Sequence, residues 1–291
     1  MKSKNEIVIT KEEKTSYTLK ISAVYAIGAI LLLLGRVFIY YFGSYIAAFS
    51  WAALIGVCAL FAVFEKQKEK EPLSFAIGDS YNVIIMTMLF ISVLLVMIPL
   101  SLYGDMITSL IGVKEYSAMS YAEKDGIFSM IVNCVLTPII GTTALFFVYI
   151  YPRLSRIASE KNAVLIFALL FGFLYLDDFA NLIPRILLGA LCAFVISKTR
   201  SIFLPICYFS VYQIGVAFTS YLANEGNTGG DTMGALAVTS LFLIFSGVAT
   251  PMFAYACHCM RNGKAKPKAS GTAAIIVLAI VLIAIGITIL L

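Results

Sequence analysis

Nine runs of apolar residues, most of them near 20 residues long, follow one another along this 291-residue chain. That succession limits the fold more than any other feature. A helix of about 20 residues crosses roughly 30 Å of hydrocarbon. Inside a bilayer every backbone N–H and C=O must also find a partner within the protein, which a helix achieves in a single segment. The alternating apolar and polar pattern of barrel strands is absent; the runs are continuous. Composition agrees, with 61% of residues hydrophobic and 13% charged, too apolar for a water-soluble domain of this size. The sequence predicts an all-α, polytopic helical membrane protein of about nine transmembrane helices.

The spans are expected near 20–42, 45–64, 81–103, 127–151, 162–176, 181–197, 201–222, 233–256 and 271–291. The fifth is short. Residues 1–19 are hydrophilic, with neither the apolar stretch of a leader peptide nor a lipidation motif, so the first span is expected to be retained. Between the third and fourth spans, 104–126 forms the longest outer segment, and Met106–Val113 within it has the composition of a short interfacial helix. Residues 224–231 read as an outer loop rich in Gly and Asn. No repeat of 20–50 residues occurs.

Charge orients the chain. With the N-terminus cytoplasmic, Lys114 and Lys124 are the basic residues of the outside segments, and Arg36 and Arg185 fall inside spans. The remainder of the 21 Lys and Arg residues lie on the inside, Arg153, Arg156 and Lys161 among them, as the positive-inside rule requires. Topology thus accounts for the basic pI of about 8.8, and no nucleic-acid partner is implied. The lipid bilayer is the expected surrounding.

Few polar groups sit where chemistry would need them. The single His is part of Cys257-His258-Cys259. Neighbouring positions at a helix end point in different directions, and no second ligand cluster lies nearby, so neither a metal nor another cofactor is expected. Asp177 and Asp178 stand at the outer end of the fifth span, and Arg185 lies one turn into the sixth. An Asp178–Arg185 or Asp177–Arg185 pair would lower the cost of burying Arg185. Such a pair is either a structural clasp at the membrane edge or part of a polar vestibule. Asn133 and Thr137 are four apart and share a helical face with Gly141, a pattern of helix-packing contacts. Tyr208 and Tyr212, one turn apart, are read either as cavity filling or as the wall of a ligand site.

Three segments carry a more specific pattern. They are Pro138-Ile139-Ile140-Gly141-Thr142-Thr143-Ala144-Leu145-Phe146, Phe171-Gly172-Phe173-Leu174-Tyr175, and the run from Thr199-Arg200-Ser201 through Pro205 to Gln213. Their spacing, with Gly189 between the second and third, resembles the CAAX-protease and bacteriocin-processing family of intramembrane proteases. Hydropathy and that resemblance together give the expected organisation: 1–19 cytoplasmic segment, 20–126 N-terminal helices and outer loop, 127–222 protease-like core and 223–291 C-terminal helices. It also exposes what is missing. The family's Glu-Glu-x-x-x-Arg falls on Gly141, Thr142 and Phe146. Its Phe-x-x-x-His falls on Phe171 and Tyr175. Its His-x-x-x-Asn, four residues past a proline, falls on Phe209 and Gln213. Arg200 stands where the family's Thr-Gly-Ser turn has glycine.

In the mechanism the resemblance implies, a Glu activates water while the histidines and Asn position it or stabilise the oxyanion. Gly, Thr and Phe accept no proton at a useful pKa, and Tyr175 and Gln213 are not bases near neutrality. The expectation is therefore a catalytically inactive homologue in a bacterial plasma membrane. It would bind a membrane-protein or hydrophobic-peptide partner in a regulatory, immunity or scaffold role. The candidate cavity and partner-binding residues are Tyr175, Asp177, Asp178, Arg185, Tyr208, Tyr212 and Gln213. Two rivals stand beside it. One is an active membrane endopeptidase with relocated groups drawn from Asp177, Asp178 and Gln213. The other is a small-solute or lipid transporter whose path is lined by Arg36 or Arg185.

Overall fold

A computed structural model describes residues 11–42, 45–64, 80–111, 126, 128–175, 178–223 and 232–262. Helices occupy eight of the nine expected places: α1 (Lys11–Phe42), α2 (Tyr45–Phe64), α3 (Ser80–Ile111), α4 (Phe128–Ile157), α5 (Glu160–Phe173), α6 (Leu182–Thr199), α7 (Phe203–Ala223) and α8 (Thr232–Asn262). A single 3-10 turn, Phe179–Asn181, leads into α6. Six of the helices, α1, α2, α3, α4, α6 and α8, are long and apolar enough to cross a membrane. The expected span 271–291, the loop 224–231 and residues 112–125 of the outer segment 104–126 lie outside the described residues, as does Asp177. Arg36 falls in α1, and its side chain also lies outside the description.

Two expectations change. Residues from Met106 to Ile111 continue α3 and form no separate interfacial helix, because nothing in that stretch breaks the helix. Arg153, counted above with an inside loop, belongs to α4 and is 2% exposed. Its guanidinium Nη1 donates to the Tyr149 carbonyl at 2.7 Å, and its Cζ lies 3.6 Å from the centre of the Tyr149 ring. The cation is thus held by its own helix one turn back.

The main core forms where α4, α5 and α6 meet α1, α2 and α7, with a smaller cluster of Leu95, Leu241, Phe245 and Met252 joining α3 to α8. Gly189 makes the α5–α6 contact possible. A Cβ there would lie 2.8 Å from the Phe171 Cβ, closer than two packed carbons sit.

Helix α4 is irregular for a reason written in its prolines. Two stretches, Ile131–Leu136 and Thr143–Ile150, are wound as π-helix, and each leads directly into a turn with proline in second place, Pro138 and Pro152. Proline lacks the N–H that would bond the carbonyl four residues back, and its ring collides with that carbonyl. Widening the preceding turn by one residue relieves the collision. The Thr137 amide and hydroxyl accordingly both reach Val132 O, five residues back. This shift takes Asn133 and Thr137 out of the simple four-residue register. Asn133 Nδ2 instead bonds locally, to the Ser129 carbonyl and hydroxyl.

Helix α5 is the short one. Fourteen residues rise about 21 Å, less than the ~30 Å of a hydrocarbon core. The described residues on either side of the connection to α6, Tyr175 and Ala180–Asn181, are thereby drawn into the protein. Irregular backbone at that depth is tolerated when other helices cover it, and Tyr175, Ala180 and Asn181 are all buried.

Candidate functional site

The positions that the sequence aligns with a protease site do converge. Helix α4 supplies Gly141, Thr142 and Phe146, the end of α5 supplies Phe171 and Tyr175, and α7 supplies Phe209 and Gln213. Phe171, fully buried, stands at the centre. Its ring lies 5.0 Å from Phe146, 5.4 Å from Phe209 and 6.4 Å from Tyr175, centre to centre. Edge and tilted contacts of this kind suit the ring quadrupoles. Phe146 also meets Phe167 and Tyr25. Apolar rings fill the middle of the constellation.

Above that layer, Thr142 Oγ1 and the Tyr175 hydroxyl are hydrogen-bonded at 2.5 Å. Both residues are buried, so each satisfies the other's polar atom without water. Gly141, one residue earlier, is pressed against Trp51 of α2. A Cβ at position 141 would lie 2.2 Å from Trp51 Cε3. The indole thus occupies the space that a side chain at the first acid position would need, and it touches Tyr175 as well, with ring centres 6.1 Å apart.

Gln213 has a specific partner. Its Nε2 donates to the Cys134 carbonyl at 2.8 Å. Cys134 is four residues before Pro138, so its carbonyl is the one that proline deprives of a helical donor. Gln213 replaces the missing N–H from a neighbouring helix, as buried carbonyls require.

Polar groups gather on the side of Tyr175 away from Phe171. Arg185, 3% exposed, pairs its Nη2 with Asp178 Oδ2 at 2.6 Å and lays its guanidinium 4.1 Å from the Tyr175 ring centre. The second Asp178 oxygen accepts from Asn181 Nδ2 at 2.9 Å and from its backbone N–H at 3.3 Å. Tyr212 OH then donates to Asn181 Oδ1 at 3.2 Å. Of the two pairings open to Arg185, the structure describes the one with Asp178. Tyr208 is placed in the core, stacked on Phe90 with ring centres 4.3 Å apart and planes 4° from parallel.

The turn between α6 and α7 is strained. Arg200 ends α6 at φ +56°, in the left-handed region, the one positive φ outside glycine among the described residues. Glycine adopts that conformation freely; a residue with a Cβ does so at some cost.

Sequence reasoning overlooked Trp51 and Asn181. Trp51 lies some 90 residues before the position it covers, and Asn181 looks like an ordinary loop residue. Its place directly before Leu182, at the start of an apolar helix, was the available signal. Among the described residues no three His, Cys, Asp or Glu side chains stand close enough to hold a metal ion. Neither a curated protein nor a solved structure matched the chain. Residues 124–215, the stretch that carries nearly all of this constellation, match the family model described as type II CAAX prenyl endopeptidase Rce1-like, so this part of the chain is similar to that family.

Proposed function

We propose that this chain is a catalytically silent relative of the Rce1-like intramembrane proteases, and that in a bacterial plasma membrane it recognises another membrane protein or a hydrophobic peptide without cutting it. The observation that carries the reading is the state of the aligned positions. Phe146 and Phe209 are fully buried against Phe171, Trp51 covers Gly141, and the hydroxyls of Thr142 and Tyr175 are committed to each other. Amide hydrolysis needs a base and donors aimed at the developing oxyanion. Asp178, the nearest carboxylate among the described residues, is engaged by Arg185 and Asn181 on both oxygens. A relocated active site built on it is disfavoured for that reason.

With the interior occupied, the partner docks against the flank of the core. Ile140 of α4 and Val211 and Ile214 of α7, close in sequence to Gly141 and Gln213, are 55%, 51% and 53% exposed. Two measurements test the proposal. Purified protein in bilayers, mixed with prenylated peptides and with leader peptides, should leave both intact. Cleavage that disappears in Tyr175→Phe or Gln213→Leu would overturn the silent reading. Photo-crosslinkers at Ile140, Val211 and Ile214 in native membranes should trap the same discrete protein or peptide at all three positions. Adducts with lipid alone would remove the partner.

A further inference from the structure

A groove of about 360 Å³ opens between α1 and the corner where α4 turns into α5. It lies at the end of the molecule opposite the Asp178–Arg185 pair and is independent of the function proposed above. Two contacts define its geometry. Arg156 Nη1 donates to Tyr17 OH at 3.3 Å, and Tyr25 OH donates to the Leu170 carbonyl at 3.0 Å. Ascending α1 therefore means ascending α5; the two helices flank the groove and run in the same direction.

The lining changes character along that shared direction. Lys14, Thr18 and Asn162 line the groove near its mouth, while Ile21, Leu154 and Ile166 line it further in. Seven residues separate Lys14 from Ile21, about 10 Å of helix rise. The groove thus passes from a cation and polar groups to an aliphatic slot over the depth at which a bilayer passes from headgroup to hydrocarbon. Lys14 is the charged residue in its lining. The first turn of α5 begins at the same mouth and adds its partial positive charge. The acid nearest on that helix, Glu160, is held elsewhere: its carboxylate accepts from Lys198 Nζ at 2.6 Å and from Ser197 Oγ at 2.9 Å, on α6.

We propose that this groove binds an anionic glycerophospholipid, with the phosphate at Lys14 and the first carbons of one acyl chain against Ile21 and Ile166. The volume takes a headgroup and the start of a chain. The remainder of the lipid would continue into the bilayer along the outer face of α5, where Leu165 and Leu169 are exposed. Charge complementarity selects an anionic over a zwitterionic headgroup. The aliphatic slot selects a lipid over a free phosphate.

The test uses the full chain in zwitterionic detergent, with bound lipid read by native mass spectrometry. Added phosphatidylglycerol should be retained over phosphatidylcholine, and Lys14→Gln should lower that preference about fivefold, the size expected of one lysine at a membrane surface. Millimolar inorganic phosphate should not compete. Ser22→Trp, which places an indole in the groove from its exposed rim, should reduce retention of phosphatidylglycerol while leaving the thermal transition in place. Equal retention of the two lipids, an unchanged preference in Lys14→Gln, or full displacement by phosphate would each overturn the proposal.

Discussion

Thr142 and Tyr175 share a buried hydrogen bond across the α4–α5 interface. They stand at positions that the sequence resemblance aligns with an acid and a histidine, and here each is the other's partner. Removing one hydroxyl leaves its mate unsatisfied in an apolar setting, which costs more than the bond itself contributes. Thr142→Val and Tyr175→Phe should each destabilise the protein by about 1–2 kcal/mol. The double variant should lose clearly less than the sum. Unfolding free energies in bilayers or mild detergent measure this coupling, and strict additivity would mean the two hydroxyls do not interact.

Trp51 and Gly141 are matched in size. Gly141→Ala puts a methyl into the indole and should destabilise by about 1–3 kcal/mol, the usual range for overpacking. Trp51→Leu, itself destabilising, should make the same alanine nearly neutral. Gly141→Glu, which introduces the acid that the sequence resemblance aligns with this position, should harm folding and give no cleavage of prenylated peptides. Retained stability in Gly141→Glu would show that the indole yields easily.

Gln213 is expected to matter because of Pro138. Gln213→Leu leaves the Cys134 carbonyl without a donor and should cost about 1–3 kcal/mol. In a Pro138→Ala background the restored N–H supplies that carbonyl, so the same leucine should cost much less. An equal penalty in both backgrounds would separate Gln213 from the proline.

The Asp178–Arg185 pair calls for a different pattern. Asp178→Ala removes the carboxylate that pairs with a buried guanidinium and should cost about 3–5 kcal/mol, whereas replacing both residues by leucine should cost far less. Thermal transitions of the two variants, read side by side, decide the matter.

At the other end of α5, Lys198 and then Ser197 hydrogen-bond Glu160 and hold its carboxyl below the ordinary range. A depressed pKa means the ion pair stabilises the fold above the usual carboxylate range and loses that contribution as pH falls through the lowered value. The pair is solvent-exposed, so Glu160→Gln should cost only about 0.5 kcal/mol near neutrality. That difference from wild type should vanish in acid. A gap that persists at low pH would assign the effect to packing.

The sequence by itself determined the helical membrane architecture, since apolar runs of bilayer length leave the backbone no other way to satisfy its polar groups. Eight of the helices stand where hydropathy put them, with α2 matched residue for residue. It also carried the resemblance over the residues that the Rce1-like family model matches, and a pairing of Arg185 with either Asp177 or Asp178, because prolines, glycines and lone charges in apolar helices each impose a local requirement. Only the tertiary structure decided what those positions touch. Trp51 reaches Gly141 from a helix about 90 residues away, and Gln213 reaches Cys134 across 79. Two π-helical stretches in α4 shift the register on which any face-by-face reading depends. Packing between helices is set by side-chain volume and by where freed carbonyls find donors, and neither quantity has a period that a linear pattern can display.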